Sequence, residues 1–257
     1  MHTQIRKDIL NISFESGHGH IPTCFSIVEL LQTVYETMNH KPADPQWNDR
    51  DIFILSKGHA ALAHYVVLAR QGYFDLEPVC TFGGCGSQFG CHGDRSKTPG
   101  VEVSTGSLGH GIGVAVGMAM AFKIQKSDRR VISLIGDGEA NEGSVWEALL
   151  VAADQKLDKL TVIYDNNMSH ARGLQIHNPA EKLASFGMDV TEIDGHDPAQ
   201  IRAALEKKSD MPKAIVANTV KGQGIAEMME NHYPWHRRSP SEEELKRFLE
   251  ELDARTV

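Results

Sequence analysis

The sequence predicts an α/β fold in which helices cover both faces of a mostly parallel sheet. Five short apolar runs are separated by segments with helical patterns, and this alternation is typical of such a sheet. The chain of 257 residues is also long enough to bury a sizeable core, as one large domain or two small ones. We expect the strands at residues 52–55, 131–135, 160–164, 190–193 and 214–217.

The helix with the clearest pattern joins the second and third predicted strands. Apolar residues recur at helical spacing between Glu142 and Lys156, and Glu142 lies in the first turn. A run of small residues from Gly106 to Met120 predicts a second, buried helix that packs closely. Residues 109–113 are a poor dinucleotide-binding motif, because no strand precedes them and no acidic residue follows at the usual distance. The glycine-rich residues 81–100 predict irregular structure.

The composition is that of an ordinary globular protein. Hydrophobic residues make up 41% and charged residues 23% of the chain, and 34 acidic against 26 basic residues give a formal net charge of −8. Because the sequence contains no basic stripe, we expect no nucleic-acid partner. No apolar stretch of about 18 residues occurs, and no apolar signal core follows Met1, so we expect no membrane association and a cytoplasmic location.

The four cysteines predict reduced, packed thiols. They form no CxxC pair, and a chain of this length needs no disulfide framework. An alternative is a zinc site built from Cys85, Cys91 and His92, although structural zinc sites usually show more closely spaced ligand pairs. The cysteines are Cys24, Cys80, Cys85 and Cys91.

Polar residues follow the second and third predicted strands. Gly136-Asp137-Gly138 ends one strand and Asp165-Asn166-Asn167 ends the next, and residues 139–165 between them have the length of a helical crossover. Because the carboxyl ends of parallel strands open onto one crevice, Asp137 and Asn167 can converge on a metal ion and a phosphate. Mg²⁺ prefers such oxygen ligands, and a backbone carbonyl near Ser169 would add a third. Alternatively, both segments are simple turns, which these residue types also favour.

The segment from Gly136 to Asn167 resembles the diphosphate-binding signature of thiamine diphosphate enzymes. Further segments resemble the transketolase branch of that superfamily, in the same order along the chain. This resemblance implies a three-layer α/β/α thiamine diphosphate-binding fold with a mostly parallel central sheet. It also implies one diphosphate-binding domain over residues 1–257, with a helical tail from about 239 to 257. The segments are residues 53–60, 104–111, 186–187, 194–197 and 219–224.

The resemblance also implies a cofactor site. In the transketolase pattern Asp137, Asn167 and the carbonyl of Ser169 hold Mg²⁺, or Ca²⁺ or Mn²⁺ in its place. Glu142 resembles a glutamate near the subunit boundary that couples the paired active sites, and is counted among the catalytic residues. The residues expected to bind thiamine diphosphate are Gly106, Ser107, Leu108, Gly136, Asp137, Gly138, Glu139 and Asn167.

Four histidines match positions that serve the sugar in the family. When positions are counted back from residues 26–30, His20 rather than His18 falls at the position of the family's catalytic histidine. Taken alone, however, Ser16-Gly17-His18 resembles the family's sequence motif. Three departures concern this site: Pro22-Thr23 replaces a pair of small glycines, a proline after the third histidine is lost, and Arg237 replaces a glycine. The expected catalytic histidines are His20, His59, His92 and His236.

The resemblance covers only the diphosphate-binding half of a transketolase. No counterpart is identifiable for the glutamate that activates the cofactor in the pyrimidine-binding half. We therefore expect the amino-terminal subunit of a split transketolase, active only with a separately encoded carboxyl-terminal subunit, with two copies of each chain. Together they would transfer a two-carbon ketol unit from a ketose, or a ketose phosphate, to an aldose.

Two other functions stay open at this point, and so does the sugar. The chain could be a subunit of a 2-oxoacid decarboxylase or dehydrogenase, although residues 53–60 and 104–111 count against this, or a non-catalytic cofactor-binding partner. The unusual residues 18–24 and 85–95 suggest specialised sugar metabolism, and a role with pentose phosphates remains an alternative.

Overall fold

Five parallel strands form the central sheet of the computed structural model, which describes residues 1–255. The strand order is β1-β2-β3-β5-β4, and every neighbouring pair is parallel. All five predicted strands are confirmed, and four of them extend one or two residues beyond the predicted ends. The strands are β1 (Ile52–Leu55), β2 (Val131–Gly136), β3 (Leu160–Asn166), β4 (Asp189–Asp194) and β5 (Lys213–Asn218).

Helices cover both faces of this sheet, so the predicted three-layer α/β/α fold is confirmed. One face packs against α1, α3, α4, α8 and α10, and the other against α5, α6 and α7. The helices are α1 (His2–Ser16), α2 (Ile21–Phe25), α3 (Val28–Thr37), α4 (Ala61–Arg70), α5 (Gly111–Ile124), α6 (Gly143–Asp154), α7 (Pro179–Ser185), α8 (Pro198–Glu206), α9 (Ala226–Glu230) and α10 (Glu242–Ala254).

Strand β1 is apolar on both sides because helices cover both of its faces, although it lies at an edge of the sheet. In β1, Phe53 and Leu55 join the first helical layer, whereas Ile52 and Ile54 join the second. All four side chains are at most 5% exposed. Burying an aliphatic or aromatic side chain of this size stabilises the fold by about 1.5–3 kcal/mol, which explains why short apolar runs sufficed to locate the strands.

The register brings the polar strand ends to one edge of the sheet. Gly136, the last residue of β2, pairs with Asp165 of β3, and Asn166 pairs with Asn218 of β5. The next residue after β2 is Asp137 and the next after β3 is Asn167. Both side chains therefore start from the same row, as the crossover length predicted.

The helix predicted at Gly106–Met120 was wrong in two respects. It begins at Gly111, because Gly106 and Gly109 have φ values of +147° and +79°, which a right-handed helix excludes. It is also not fully buried, since Gly113 and Gly117 are exposed and Val114 is 40% exposed. The helix predicted between Glu142 and Lys156 is confirmed as α6, and it ends two residues early at Asp154.

The charged tail forms helix α10, which begins at Glu242 rather than at 239. The side chain of Ser241 accepts a hydrogen bond from the backbone N–H of Glu244, and the Glu244 side chain binds back to Ser241. Phe248 and Leu252 bury the helix in the layer that contains α1. Residues 256 and 257 of the predicted tail lie outside the described residues. Over residues 1–255, no helix combines the length and apolarity that a membrane crossing requires.

Candidate active site

Two adjoining cavities open at the carboxyl ends of the strands and share His59, Leu108 and His236. The inner cavity has a volume of about 370 Å³, and the outer cavity about 530 Å³. The inner cavity is lined by Thr23, Lys57, His59, Leu108, Gly136, Asp137, Gly138, Glu139, Asn167, Ser169, Lys221, His232, Tyr233 and His236. The outer cavity is lined by His18, Gly19, His20, His59, Cys91, His92, Gly106, Leu108, His236 and Arg237.

Asp137 and Asn167 converge at the base of the inner cavity. The backbone nitrogen of Ser169 donates to Asp137 Oδ2 at 2.8 Å and to Asn167 Oδ1 at 3.0 Å, so both oxygens reach one point. The N–H of Gly138 donates to Asp137 Oδ1 at 2.6 Å. Asp137 is 0% exposed and Asn167 is 5% exposed. A carboxylate and an amide oxygen from two strand ends are ligands that suit a small hard cation such as Mg²⁺.

The orientation of the Asn167 amide is fixed by Asp165. Asn167 Nδ2 donates to Asp165 Oδ2 at 2.7 Å, which turns the amide oxygen toward Asp137. Asp165 is fully buried and also accepts from Ser26 Oγ at 2.9 Å and from Lys57 Nζ at 2.5 Å, and Thr219 Oγ1 donates to its other oxygen. The carboxylate thus joins the ends of β1, β3 and β5 to α2 and positions a predicted metal ligand.

The carboxylate of Glu139 accepts hydrogen bonds from three separate segments of the chain, although the residue also lines the inner cavity. Its Oε1 accepts from Ser56 Oγ at 2.5 Å and from the Gly109 N–H at 2.9 Å, and its Oε2 accepts from the Gly136 N–H at 3.1 Å. Burial raises the pKa of this carboxyl group, although the three hydrogen bonds act in the opposite direction. Glu139 therefore fixes the loop that carries Leu108 against the ends of β1 and β2.

Two buried lysines make the inner cavity suitable for an anion. Lys57 is paired with Asp165, whereas Lys221 is 6% exposed and has no hydrogen-bonding or acidic partner among residues 1–255. Burial, with a smaller contribution from the Lys57 charge, lowers the pKa of Lys221 to about 8. A buried ammonium without a partner is costly, and a diphosphate group would neutralise it. The cavity residues therefore fit an anionic cofactor together with its metal ion.

Three of the four predicted histidines come together where the two cavities meet. The ring of His20 lies 5.7 Å from that of His59 and 5.0 Å from that of His236, measured between centroids. Burial lowers the pKa of all three, to about 4 for His20, where His236 adds to the effect. Near neutral pH the imidazoles are therefore uncharged, and each has one nitrogen that donates a hydrogen bond and one that accepts.

The structure places His20, and not His18, in this cluster. His20 has a φ of +69°, an uncommon conformation for a side chain of its size, and directly precedes α2. His18 lies further out, where its ring packs edge-on against Phe82 at 6.0 Å. Thr23, one of the residues that replaces the family's glycines, lines the inner cavity, and its Oγ1 lies 3.3 Å from His59 Nε2.

The other two departures from the family pattern leave the cluster intact. His92 lines the outer cavity, and its ring lies against the backbone of Gly106, where a Cβ atom would approach it to 3.2 Å. Arg237 has a φ of −128°, which any residue adopts, so the glycine of the family is not required for this path. His236 therefore reaches the other histidines although Arg237 follows it.

Two predicted site residues lie outside both cavities. Ser107 is exposed, and Glu142 is an exposed residue at the start of α6. Sequence reasoning also gave no role to other residues at or beneath the inner cavity, namely Lys57, Asp165, Lys221, His232 and Tyr233. Lys57 and Lys221 lie within the quoted segments 53–60 and 219–224, so the resemblance carried a signal for them.

The zinc interpretation is not supported. Cys85 and Cys91 are free thiols, like the other two cysteines. In the part of the chain that the structure describes, no three side chains of His, Cys, Asp or Glu are grouped so that they could hold a metal ion. The predicted Mg²⁺ set is of another kind, since an amide and a backbone carbonyl supply two of its three ligands.

Comparison with known proteins agrees with this geometry. Residues 4–253 match the family described as transketolase, thiamine diphosphate binding domain. One subunit of the apulose-4-phosphate transketolase of Actinobacillus succinogenes is 40% identical over 252 residues, covering 95% of this chain and 91% of that protein. The 6-deoxy-6-sulfo-D-fructose transketolase subunit SqwG of Clostridium sp. (strain MSTE9) is 37% identical over 258 residues, covering 97% and 94%.

A solved structure shows the same fold in a longer protein. Transketolase from Campylobacter jejuni superposes with a TM-score of 0.91 at 31% identity, over 98% of this chain. The chain spans only 42% of that transketolase, although it spans more than nine tenths of the two relatives that are named as subunits. The chain therefore belongs to the transketolase family, as a thiamine diphosphate binding domain that matches subunits of the family almost from end to end.

Proposed function

We propose that this chain is the diphosphate-binding subunit of a two-chain transketolase that moves a two-carbon ketol unit from a ketose, or a ketose phosphate, to an aldose. The convergence of Asp137 and Asn167 beside the unpaired ammonium of Lys221 is the observation that carries this proposal. Mg²⁺ would be held by Asp137, Asn167 and the carbonyl of Ser169, and the diphosphate by Lys221 and backbone N–H groups near Gly138. We also propose that residues 1–257 form one domain.

The histidine cluster would serve the sugar. Thiamine diphosphate, when bound, supplies the chemistry that breaks and re-forms the carbon–carbon bond of the ketose. His20, His59 and His236 are neutral near pH 7, so their ring nitrogens can bind sugar hydroxyl groups and give or take a proton at a carbonyl oxygen. His20 and His59 are half-buried, which reduces the access of water to the reacting atoms. His92 would contact the sugar from the outer cavity.

An exposed apolar face on α5 and α6 supports the proposal that a second, partner chain binds this one. On α5, the uncharged residues Val114, Gly117, Ala121 and Ile124 are all exposed and lie along one stripe of the helix. The adjacent α6 adds Leu150, which is 55% exposed, and Val151, which is 43% exposed. Glu142 begins α6 beside this face, where its predicted role at a boundary between chains would place it. We propose that two copies of each chain assemble through such faces, because closed twofold symmetry is the usual arrangement of oligomers.

The competing functions fit this chain less well. The nearly full-length relatives are named transketolase subunits, which disfavours a 2-oxoacid decarboxylase or dehydrogenase. The convergence of the predicted metal ligands Asp137 and Asn167 and the three clustered histidines disfavour a non-catalytic partner. The identity of the sugar and the cytoplasmic location stay predictions from the sequence.

Reconstitution tests the proposal. The chain is purified alone and with its candidate partner, and ketol transfer from a ketose phosphate is measured with and without thiamine diphosphate and Mg²⁺. We expect activity only from the two-chain complex supplied with both, and we expect calorimetry to show that Asp137→Ala abolishes cofactor binding. A complex that is active without thiamine diphosphate, or that releases CO₂ from pyruvate instead, would contradict the proposal.

A further inference from the structure

We propose that Arg237 provides an anion-binding subsite in the outer cavity, which recognises a phosphate or sulfonate group at the far end of the ketose. This inference rests on the proposed function, because it assigns the substrate class of the same site. It concerns a residue at which the chain departs from the family pattern, so the family pattern does not imply it.

The outer cavity has the right charge for such a group. Arg237 is the one residue with a full charge among the ten that line it, and no carboxylate contributes to its wall. The remaining polar side chains are those of the histidines and of Cys91. An anion that enters this cavity therefore meets a single guanidinium group without competition from an acidic neighbour.

The guanidinium group of Arg237 is available for a ligand. It is exposed, and within residues 1–255 it has no hydrogen-bond or ion-pair partner. The next residue shows the contrast, because Arg238 binds both carboxylate oxygens of Glu244 at 2.7 and 2.8 Å and lies 3.7 Å over the ring of Trp235. The two adjacent arginines thus differ, because Arg238 is held by Glu244 and Trp235, whereas Arg237 lines the cavity and has no such contact within residues 1–255.

The backbone of Arg237 is fixed beside the histidine cluster. Gly19 packs directly on it, since a Cβ atom at position 19 would lie 2.6 Å from the Arg237 carbonyl oxygen. Gly19 precedes His20, and Arg237 follows His236, so the arginine is tied to two members of the cluster. Its charge also reaches them, because it contributes to the lowered pKa values of His20 and His236.

The dimensions suit an extended sugar. The cavities share His59 and His236, and the outer one has a volume of about 530 Å³. A ketose with its carbonyl group at the histidines would extend outward, and its terminal group would reach the wall that carries Arg237. A guanidinium group binds phosphate and similar oxyanions through two parallel hydrogen bonds, which gives selectivity over a neutral hydroxyl group.

Kinetics with paired donors test this subsite. The two-chain enzyme is assayed with fructose 6-phosphate, with 6-deoxy-6-sulfofructose and with neutral L-erythrulose, each with the neutral acceptor D-glyceraldehyde, and formation of the five-carbon ketose is measured. We expect Arg237→Gln to raise KM for an anionic donor by roughly 10- to 100-fold, the range expected for a lost hydrogen bond to a charged group. The value for L-erythrulose should change less than about threefold, and Arg237→Lys should recover part of the loss.

The controls separate this inference from the proposed function. Arg238→Gln removes an equal charge one residue away and should leave the preference for anionic donors unchanged. The two anionic donors distinguish phosphate from sulfonate recognition. Equal losses on charged and neutral donors in Arg237→Gln, or no loss on either anionic donor, would overturn the subsite.

A binding measurement covers the case in which no donor reacts. Inorganic phosphate is titrated by calorimetry into the two-chain complex saturated with thiamine diphosphate and Mg²⁺. We expect binding to the wild type and to Arg238→Gln and its loss in Arg237→Gln. Equal binding in all three, or binding in none, would reject the subsite independently of whether the complex is a transketolase.

Discussion

The Lys57→Met substitution tests whether the buried ion pair beneath the inner cavity holds the strand ends together. The side chains of Lys57 and Asp165 are 1% and 0% exposed, and Nζ lies 2.5 Å from Oδ2. Methionine fills a similar volume but leaves the carboxylate buried with only neutral donors. Breaking a buried pair costs about 3–5 kcal/mol, a large part of the roughly 5–15 kcal/mol that stabilises a typical domain.

Urea unfolding of the isolated chain, followed by the fluorescence of its three tryptophans, measures this loss. The matched control is Lys159→Met, which removes the lysine of an ion pair on the surface. Lys159 lies 3.2 Å from Asp128, and their side chains are 37% and 99% exposed. Such a pair contributes about 0–1 kcal/mol, so the control should unfold almost like the wild type.

The double variant with Asp165→Asn shows whether the pair acts as a unit. Each single substitution leaves the other group buried without its partner, so the two losses should not add. We expect the double variant to lose about 0.5–3 kcal/mol less than the sum of the single losses. A loss in Lys57→Met as small as that in Lys159→Met, or additive losses in the double variant, would refute the reasoning.

Three further predictions concern the histidine cluster, a remote lysine and the apolar face. His59→Ala should strongly lower the turnover of the reconstituted enzyme and change the unfolding free energy of the chain only slightly. Unchanged steady-state kinetics would count against the role of His59. Burial lowers the pKa of Lys213 to about 8, from an ordinary value of about 10.4, so the folded chain loses this proton first. Unfolding free energy should therefore rise between those pH values in the wild type relative to Lys213→Met, and parallel pH profiles in urea would exclude the effect. Leu150→Glu should weaken association of the two chains in analytical ultracentrifugation without lowering the melting temperature of the isolated chain by more than a few degrees, whereas unaltered association would show that the partner binds elsewhere.

The sequence was sufficient for the sheet and for the convergence of Asp137 and Asn167 because both follow from the order of the strands. Four of the five strands are buried on both faces, which is typical of parallel strands between two helical layers, and the residues that follow such strands share an edge. Asp137 and Asn167 were therefore predictable from their positions alone. The beginning of α5 was not, because the backbone conformations of Gly106 and Gly109 depend on the loops that surround them.

The supporting contacts could not be read from the sequence because they join distant segments. Lys57 and Asp165 are 108 residues apart, and no sequence pattern around either residue predicts that the two form an ion pair. Glu139 stays a predicted cofactor-binding residue, and the sequence did not show that its oxygens accept from Ser56, Gly109 and Gly136. Such roles depend on which loops the folded sheet brings together, and a single sequence does not show that.

The close approach of Gly19 to Arg237 limits how the site can diverge. A larger residue at position 19 would collide with the backbone at 237, whatever side chain position 237 carries. Position 19 is therefore restricted to glycine by this contact, whereas the side chain at 237 is free to change without disturbing it. The base of the inner cavity is held by Asp165 and Glu139, which make no contact with position 237, so a change of that side chain leaves the base in place.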